Sequence, residues 1–107
     1  MNALDVVIPL RDEEGNVGPL VAELRAALAG LAWRAILVDD GSRDQTAAAV
    51  RREVLADPDH VVAVELGARR GKQAALLAGF ARCEHPLVLT MDGDLQDDPA
   101  AVPALLA

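Results

Sequence analysis

Four short apolar runs, each followed by a polar loop and all but the last by a helix-spaced stretch, constrain this chain more than any other feature. They cover residues 4–10, 35–38, 60–66 and 87–91. The first is apolar apart from Asp5 and Pro9 and carries the β-branched trio Val6, Val7 and Ile8. Runs of this length read as buried strands. Between the first two, Val17, Leu20, Val21, Leu24, Leu28 and Leu31 recur at helical spacing, with Asn16 as N-cap and Pro19 in the first turn. Ser42 and Gln45 have capping-box spacing and predict a second helix start, with Val50 and Val54 on its inner face and Pro58 at its end. Residues 73–83 form a third, largely apolar helix, and Asp98-Pro99 marks a further helix start. Strands alternating with helices predict an α/β fold, a Rossmann-like, mostly parallel sheet with helices on both faces.

The 107 residues suffice for one small domain. Hydrophobic residues make up 52% and aromatics only 2%, so the core must be built from Ala, Val and Leu. The formal net charge of −7 argues against nucleic acid or an anionic membrane surface as the main partner. A phosphorylated small ligand stays open, because a bound cation reverses the local charge. Cys83 is the sole cysteine, which excludes an internal disulfide and fits a reducing, cytoplasmic setting. No apolar run approaches the roughly 18 residues of a membrane span, and the N-terminus does not read as a signal peptide.

In a parallel α/β sheet, ligands bind beyond the carboxyl ends of the strands. Three acidic groups fall there: Asp12 with Glu13 and Glu14, Asp39 with Asp40, and Asp92 with Asp94. Clustered carboxylates repel each other, an arrangement that makes sense where a metal or ligand donors offset the repulsion. Oxygen ligands suit Mg²⁺ or Mn²⁺, and Gln96 adds a neutral oxygen. The bland alternative is helix caps and solvated loops. Arg69, Arg70 and Lys72 precede a helix start, a place for an anion or simply a solvated basic loop. The segment 67–73 is not a Walker A loop: it has one residue too few between its glycines, and Gln73 stands where Ser or Thr belongs. Residues 92–103 make a poor EF-hand, with Asp97 at the sixth position and Pro103 at the twelfth. His60, His85, Trp33 and Cys83 read as structural, and no nucleophile–base pair stands out around Ser42 or Cys83.

Taken in order, Val7-Ile8-Pro9 with Asp12-Glu13-Glu14, then Val38-Asp39-Asp40-Gly41-Ser42, then Gly71-Lys72 with Ala75 and Gly79, then Met91 to Pro99, resemble the family 2 glycosyltransferases of GT-A fold. The pattern is most similar to the polyprenyl-phosphate (dolichol-phosphate type) sugar transferases. The resemblance implies that residues 1–107 are a partial GT-A domain, its nucleotide-sugar-binding half. It implies that Pro9, Arg11, Glu13, Asp39, Asp40, Lys72 and Asp92 contact a nucleotide-diphosphate sugar. Asp92 and Asp94 would form the D-x-D motif and, with Gln96, hold the metal on the donor's diphosphate. Transfer to an acceptor such as a polyprenyl phosphate would invert the anomeric carbon. Arg11 stands where the family often has an aromatic residue. The acceptor-binding half is not within the chain, so turnover by these residues alone is not expected, and a full-length relative would work at the cytoplasmic membrane face.

Two other readings compete. One is a non-catalytic nucleotide-binding or self-associating module of the same fold, a homo-oligomer formed through an exposed sheet edge. The other is a phosphoacceptor signalling domain with Asp92 as acceptor. It fits less well, because the acidic pair ends the second strand and the chain stops before a fifth.

Overall fold

The computed structural model of the protein describes residues 3–92. The order of elements is β1 (Ala3–Leu10), α1 (Val17–Ala27), β2 (Ala32–Asp39), α2 (Thr46–Ala56), β3 (Val61–Glu65), α3 (Lys72–Phe80) and β4 (Leu87–Thr90). The four strands form one sheet in the order β3-β2-β1-β4, and every pairing is parallel. The expected architecture is therefore present. The helix expected from Asp98 and the candidate ligands Asp94 and Gln96 lie outside the described residues.

The sheet is covered on both faces because β1 and β2 are apolar on both. Along β1, Leu4, Val6, Ile8 and Leu10 face α1 and α2, packing with Val17, Leu20, Val21, Leu24, Ala49 and Val50. Val7, on the opposite face, packs with Ile36, Val38 and Ala75 of α3. This is the period of two that a pleated strand imposes. Two consecutive helices sit on one face and the third on the other. The chain thus steps outward from β1 to β3 and then returns past β1 to place β4. The reversal falls between β1 and β4, the kind of switch point where α/β sheets bind ligands.

Gly79 lets α3 lie close to the sheet. A Cβ there would overlap Val7 Cγ1 and come within 3.1 Å of Val38 Cγ2. On this face the buried core is Val7, Ile36, Val38 and Ala75, with no ring to hold the layers apart, so close backbone approach is what fills the space.

Two local expectations are corrected, and a third holds in position but not in its side-chain bond. Helix α2 starts at Thr46 with Gln45 as its N-cap, not at Ser42. The Ser42 hydroxyl instead accepts the Asp12 N–H at 2.9 Å, and Asp44 accepts the Thr46 N–H at 2.9 Å. Asn16 is the N-cap of α1, but its side chain makes no cap bond; its amide donates to Glu13 Oε2 at 2.6 Å. Strand β4 was expected to be buried, yet Leu87 and Val88 are each 40% exposed. It pairs with β1 on one side, and among the described residues nothing pairs with its other edge.

The residues read as structural do serve the fold. Trp33 stacks on His60, with ring centroids 4.4 Å apart. His85 Nδ1 lies 3.0 Å from the Leu4 carbonyl. Cys83 Sγ lies 3.6 Å from the Gly79 carbonyl, and burial pushes its thiol pKa up, away from thiolate reactivity.

Candidate functional site

Parallel strands place all four carboxyl ends on one rim. A cleft of about 250 Å³ opens there, lined by Pro9, Leu10, Arg11, Glu13, Asp40, Arg69, Gly71, Lys72 and Asp92. Each strand end contributes: β1 and the loop after it, the residue after β2, the β3–α3 loop, and the residues after β4. Of the residues singled out from sequence, Pro9, Arg11, Glu13, Asp40, Lys72 and Asp92 come together at this cleft. Asp39 is not in its lining. It is buried, and its Oδ1 accepts the Ser42 N–H at 3.3 Å.

Backbone N–H groups offset much of the acidic repulsion. Asp12 Oδ1 accepts the Arg43 N–H at 2.8 Å. The two oxygens of Asp40 accept from Arg70 N–H at 2.7 Å and Gly71 N–H at 3.1 Å. Asp40 therefore pins the basic β3–α3 loop over the end of β2. Gly41 makes the approach possible: its φ is +65°, and a Cβ there would run into the backbone at Ala68 and Arg69. Clustered carboxylates thus do not by themselves require a metal. Several are turn acceptors, a use that the spacing along the chain does not separate from ligation.

The loop after β1 is held with equal care. Asp12 adopts a left-handed φ of 54°, unusual for a residue other than glycine. Its N–H bonds Ser42 Oγ, the Glu13 N–H bonds Thr46 Oγ1 at 2.8 Å, and the Glu14 N–H bonds Asp44 Oδ2 at 3.3 Å. The Thr46 side-chain hydrogen bond holds the Asp44 carboxyl below its ordinary pKa, with help from backbone N–H donors. Residues 42–46 thus form a template that presents Arg11 and Glu13 to the cleft. Sequence reasoning assigned Ser42 to a helix cap and did not find this clamp. The Asp44–Thr46 spacing of a side-chain-to-backbone turn was the available signal.

Across the cleft, Lys72 Nζ lies 2.8 Å from Asp92 Oδ1. Both side chains are more than a third exposed, 64% and 46%, so this ion pair by itself adds little to stability. Asp92 follows β4, whose last link to β1 is the Met91 N–H on the Val7 carbonyl at 3.2 Å. Arg69 adds a second cation to the rim and Arg11 a third. The Arg11 Nε is buried and has no hydrogen-bond partner among the described residues.

Oxygen donors line the cleft, a chemistry that fits a hard divalent cation. Among the described residues, however, no group of three or more His, Cys, Asp or Glu side chains is close enough to hold one. The cleft is lined by the cations Arg11, Arg69 and Lys72, by the carboxylates Glu13, Asp40 and Asp92, and by apolar Pro9 and Leu10. That combination can hold an anionic group beside an uncharged ring.

Comparison with known proteins narrows the reading. The profile for "Glycosyl transferase family 2" matches residues 5–107. The dodecaprenyl-phosphate galacturonate synthase of Rhizobium johnstonii is 41% identical over 97% of this chain. The chain spans 31% of that relative's length. Among solved structures, the mannosyltransferase of Pyrobaculum calidifontis in complex with GDP-mannose and Mn²⁺ superposes with a TM-score of 0.75. It is 27% identical, and the match covers 85% of this chain and 27% of the other. The glucosyl-3-phosphoglycerate synthase of Mycobacterium tuberculosis, in complex with Mn²⁺, UDP and its product, gives a TM-score of 0.71 at 27% identity. That match covers 97% of this chain and 38% of the other.

Proposed function

The chain belongs to glycosyl transferase family 2 and has the α/β fold of the GT-A glycosyltransferases, and from that premise we propose that it binds the nucleotide-diphosphate part of a sugar donor in the cleft at the strand ends. One observation carries the reading: residues from all four strand ends, chosen from sequence for donor binding, line a single cleft with three cations at its rim. The relatives named above add support, since two were solved with GDP-mannose or UDP together with Mn²⁺. The dodecaprenyl-phosphate relative supports a polyprenyl phosphate as acceptor of the whole enzyme.

The roles follow from chemistry. Lys72 and Arg69 attract the diphosphate, and Arg11 and Glu13 sit beside the apolar base of the cleft formed by Pro9 and Leu10. Asp40 acts at one remove, holding the loop that carries Arg69 in place. Asp92, with Asp94 and Gln96, is the donor set for Mg²⁺ or Mn²⁺, and the bound cation would neutralise charge on the departing nucleoside diphosphate. Lys72 would turn its ammonium from Asp92 to a phosphate oxygen as the site fills. A lipid-phosphate acceptor is already anionic and needs little general-base assistance.

The test is calorimetric titration of UDP and of GDP into the 107-residue chain, with and without Mn²⁺. Metal-dependent binding of one nucleotide supports the reading and identifies the base. Asp94→Ala should abolish that dependence; unchanged binding would remove Asp94 from the donor set. A second reading, a self-associating module, draws on the outer edge of β4, with which nothing pairs among the described residues, and on the exposed Leu77, Phe80, Leu87 and Val88. Sedimentation that gives a monomer at every concentration would eliminate it.

A further inference from the structure

The loop after β1 carries backbone strain, and that strain is held from a distance. Asp12 sits at a φ of +54°, in the left-handed region. A residue with a Cβ stays there only when its surroundings hold it. The holding groups belong to the β2–α2 loop. Ser42 Oγ accepts the Asp12 N–H, and Asp12 Oδ1 accepts the Arg43 N–H. Thr46 Oγ1 accepts the Glu13 N–H at 2.8 Å, from 33 positions along the chain. The Ser42 and Arg43 bonds are exposed, so water can replace them, whereas Thr46 is fully buried. Its hydroxyl is not a helix cap: Gln45 is the N-cap of α2, and the Thr46 N–H is met by Asp44 Oδ1. The hydroxyl gives its one proton to the same carboxylate. Only its acceptor capacity is left, and the Glu13 N–H uses it. Valine would fill the same space, so the hydroxyl is there for the neighbouring loop and not for the packing of α2.

We propose that Thr46, which is not in the lining of the cleft, is a positioning residue for nucleotide binding: its buried hydroxyl keeps the strained Asp12 turn formed before the ligand arrives. This rests on the reading of the cleft as a nucleotide site. Glu13, the next residue, then already stands at the rim. A loop ordered in advance loses little freedom when the ligand binds, and affinity rises by that difference. Without the hydroxyl the Glu13 N–H turns to water and Asp12 is released toward the ordinary backbone regions. The ligand then has to re-form the turn as it binds.

The experiment titrates UDP and GDP, each with Mn²⁺, into the wild-type chain and into Thr46→Val, Thr46→Ser and Ser42→Ala, at a temperature where each is folded. Thermal unfolding and amide exchange without ligand run alongside. Thr46→Val removes the hydroxyl and keeps the bulk; Thr46→Ser keeps the hydroxyl and loses a methyl group. Both should lower the unfolding midpoint, because the position is buried. Affinity should separate them. Thr46→Val should weaken the preferred nucleotide roughly 5- to 10-fold, the worth of one hydrogen bond, and Thr46→Ser should bind within about twofold of wild type. The Glu13 amide should exchange faster in Thr46→Val, while those of Arg70 and Gly71, pinned by Asp40, stay as in wild type. An equal loss of affinity in both Thr46 variants would overturn the proposal, by showing that packing and not the hydroxyl matters. Thr46→Val binding within about twofold of a wild type that binds would overturn it too, and leave the cleft assignment standing. If Thr46→Val does not fold, Ser42→Ala carries the test: it frees the Asp12 N–H of the same turn and should weaken binding more than about twofold, and a smaller loss would overturn the proposal. A wild-type chain that binds neither nucleotide would overturn the nucleotide reading itself, and the role of Thr46 with it.

Discussion

Replacing Asp5 by alanine should cost the fold about 3–4 kcal/mol, by breaking a buried charge cluster at the end of the sheet opposite the cleft. Asp5 is fully buried on β1. Its carboxylate accepts from Arg34 Nε at 3.0 Å, from Glu84 N–H at 2.6 Å and from His85 N–H at 2.9 Å. Removing one partner of a buried pair costs about 3–5 kcal/mol, and each orphaned backbone N–H adds roughly 1. Arg34 moderates the loss: its side chain is 18% exposed, and it still donates to the Arg82 carbonyl at 2.7 Å. The loop that Asp5 holds leads directly into β4, which pairs only with β1 among the described residues. Loosening that entry should fray β4 and shift Asp92 at its far end. Urea unfolding at pH 7 should show a midpoint lower by about 2 M, with amide exchange in residues 87–90 accelerated most. Burial works to raise the Asp5 pKa, but the Arg34 hydrogen bond, the His85 and Glu84 N–H groups and the guanidinium charge outweigh it. They hold the carboxyl below its ordinary 3.8. A lowered folded pKa means the stabilisation is complete above the unfolded value and is lost as pH falls through the folded one. Wild type should therefore lose stability below about pH 4 more steeply than Asp5→Ala. A loss under about 1 kcal/mol at pH 7, or parallel acid profiles, would refute the reasoning.

Three further outcomes follow from the close contacts. Gly79→Ala should destabilise by about 1–3 kcal/mol in chemical denaturation despite alanine's better helix propensity, because the added methyl meets Val7 and Val38 in a packed core. Asp40→Asn keeps one acceptor for the Arg70 and Gly71 N–H groups and should cost about 1–2 kcal/mol, with faster proteolysis of the 67–71 loop as the local readout. At position 12, where φ is +54°, glycine should be tolerated better than alanine, by about 1 kcal/mol in thermal unfolding, because alanine keeps a Cβ in a left-handed conformation.

Much of the site was legible because strand ends and loops are local features. The apolar runs fix where each strand stops, and a parallel sheet puts every such stop on one rim. Glu13, Asp40, Lys72 and Asp92 could thus be gathered from the chain before any contact was known, and the family resemblance added Pro9 and Arg11. Asp39 was grouped with Asp40 because the two are adjacent. Successive side chains around a strand end point in different directions, so one reaches the cleft while the other turns to Ser42. The burial of β4 was misjudged because an apolar run looks the same in the middle of a sheet as at its edge, and strand order is not encoded in the run itself.

The sequence alone determined the α/β class, the number of described strands and the rim on which chemistry gathers, since these follow from periodicity and from parallel connection. Only the tertiary structure decided which carboxylates are turn acceptors and which face the cleft. It also decided that Asp5 is a buried anchor and that the Arg11 Nε meets no acceptor among the described residues. Those outcomes depend on partners about 30 to 80 residues away along the chain, brought into hydrogen-bonding range by packing that no local pattern specifies.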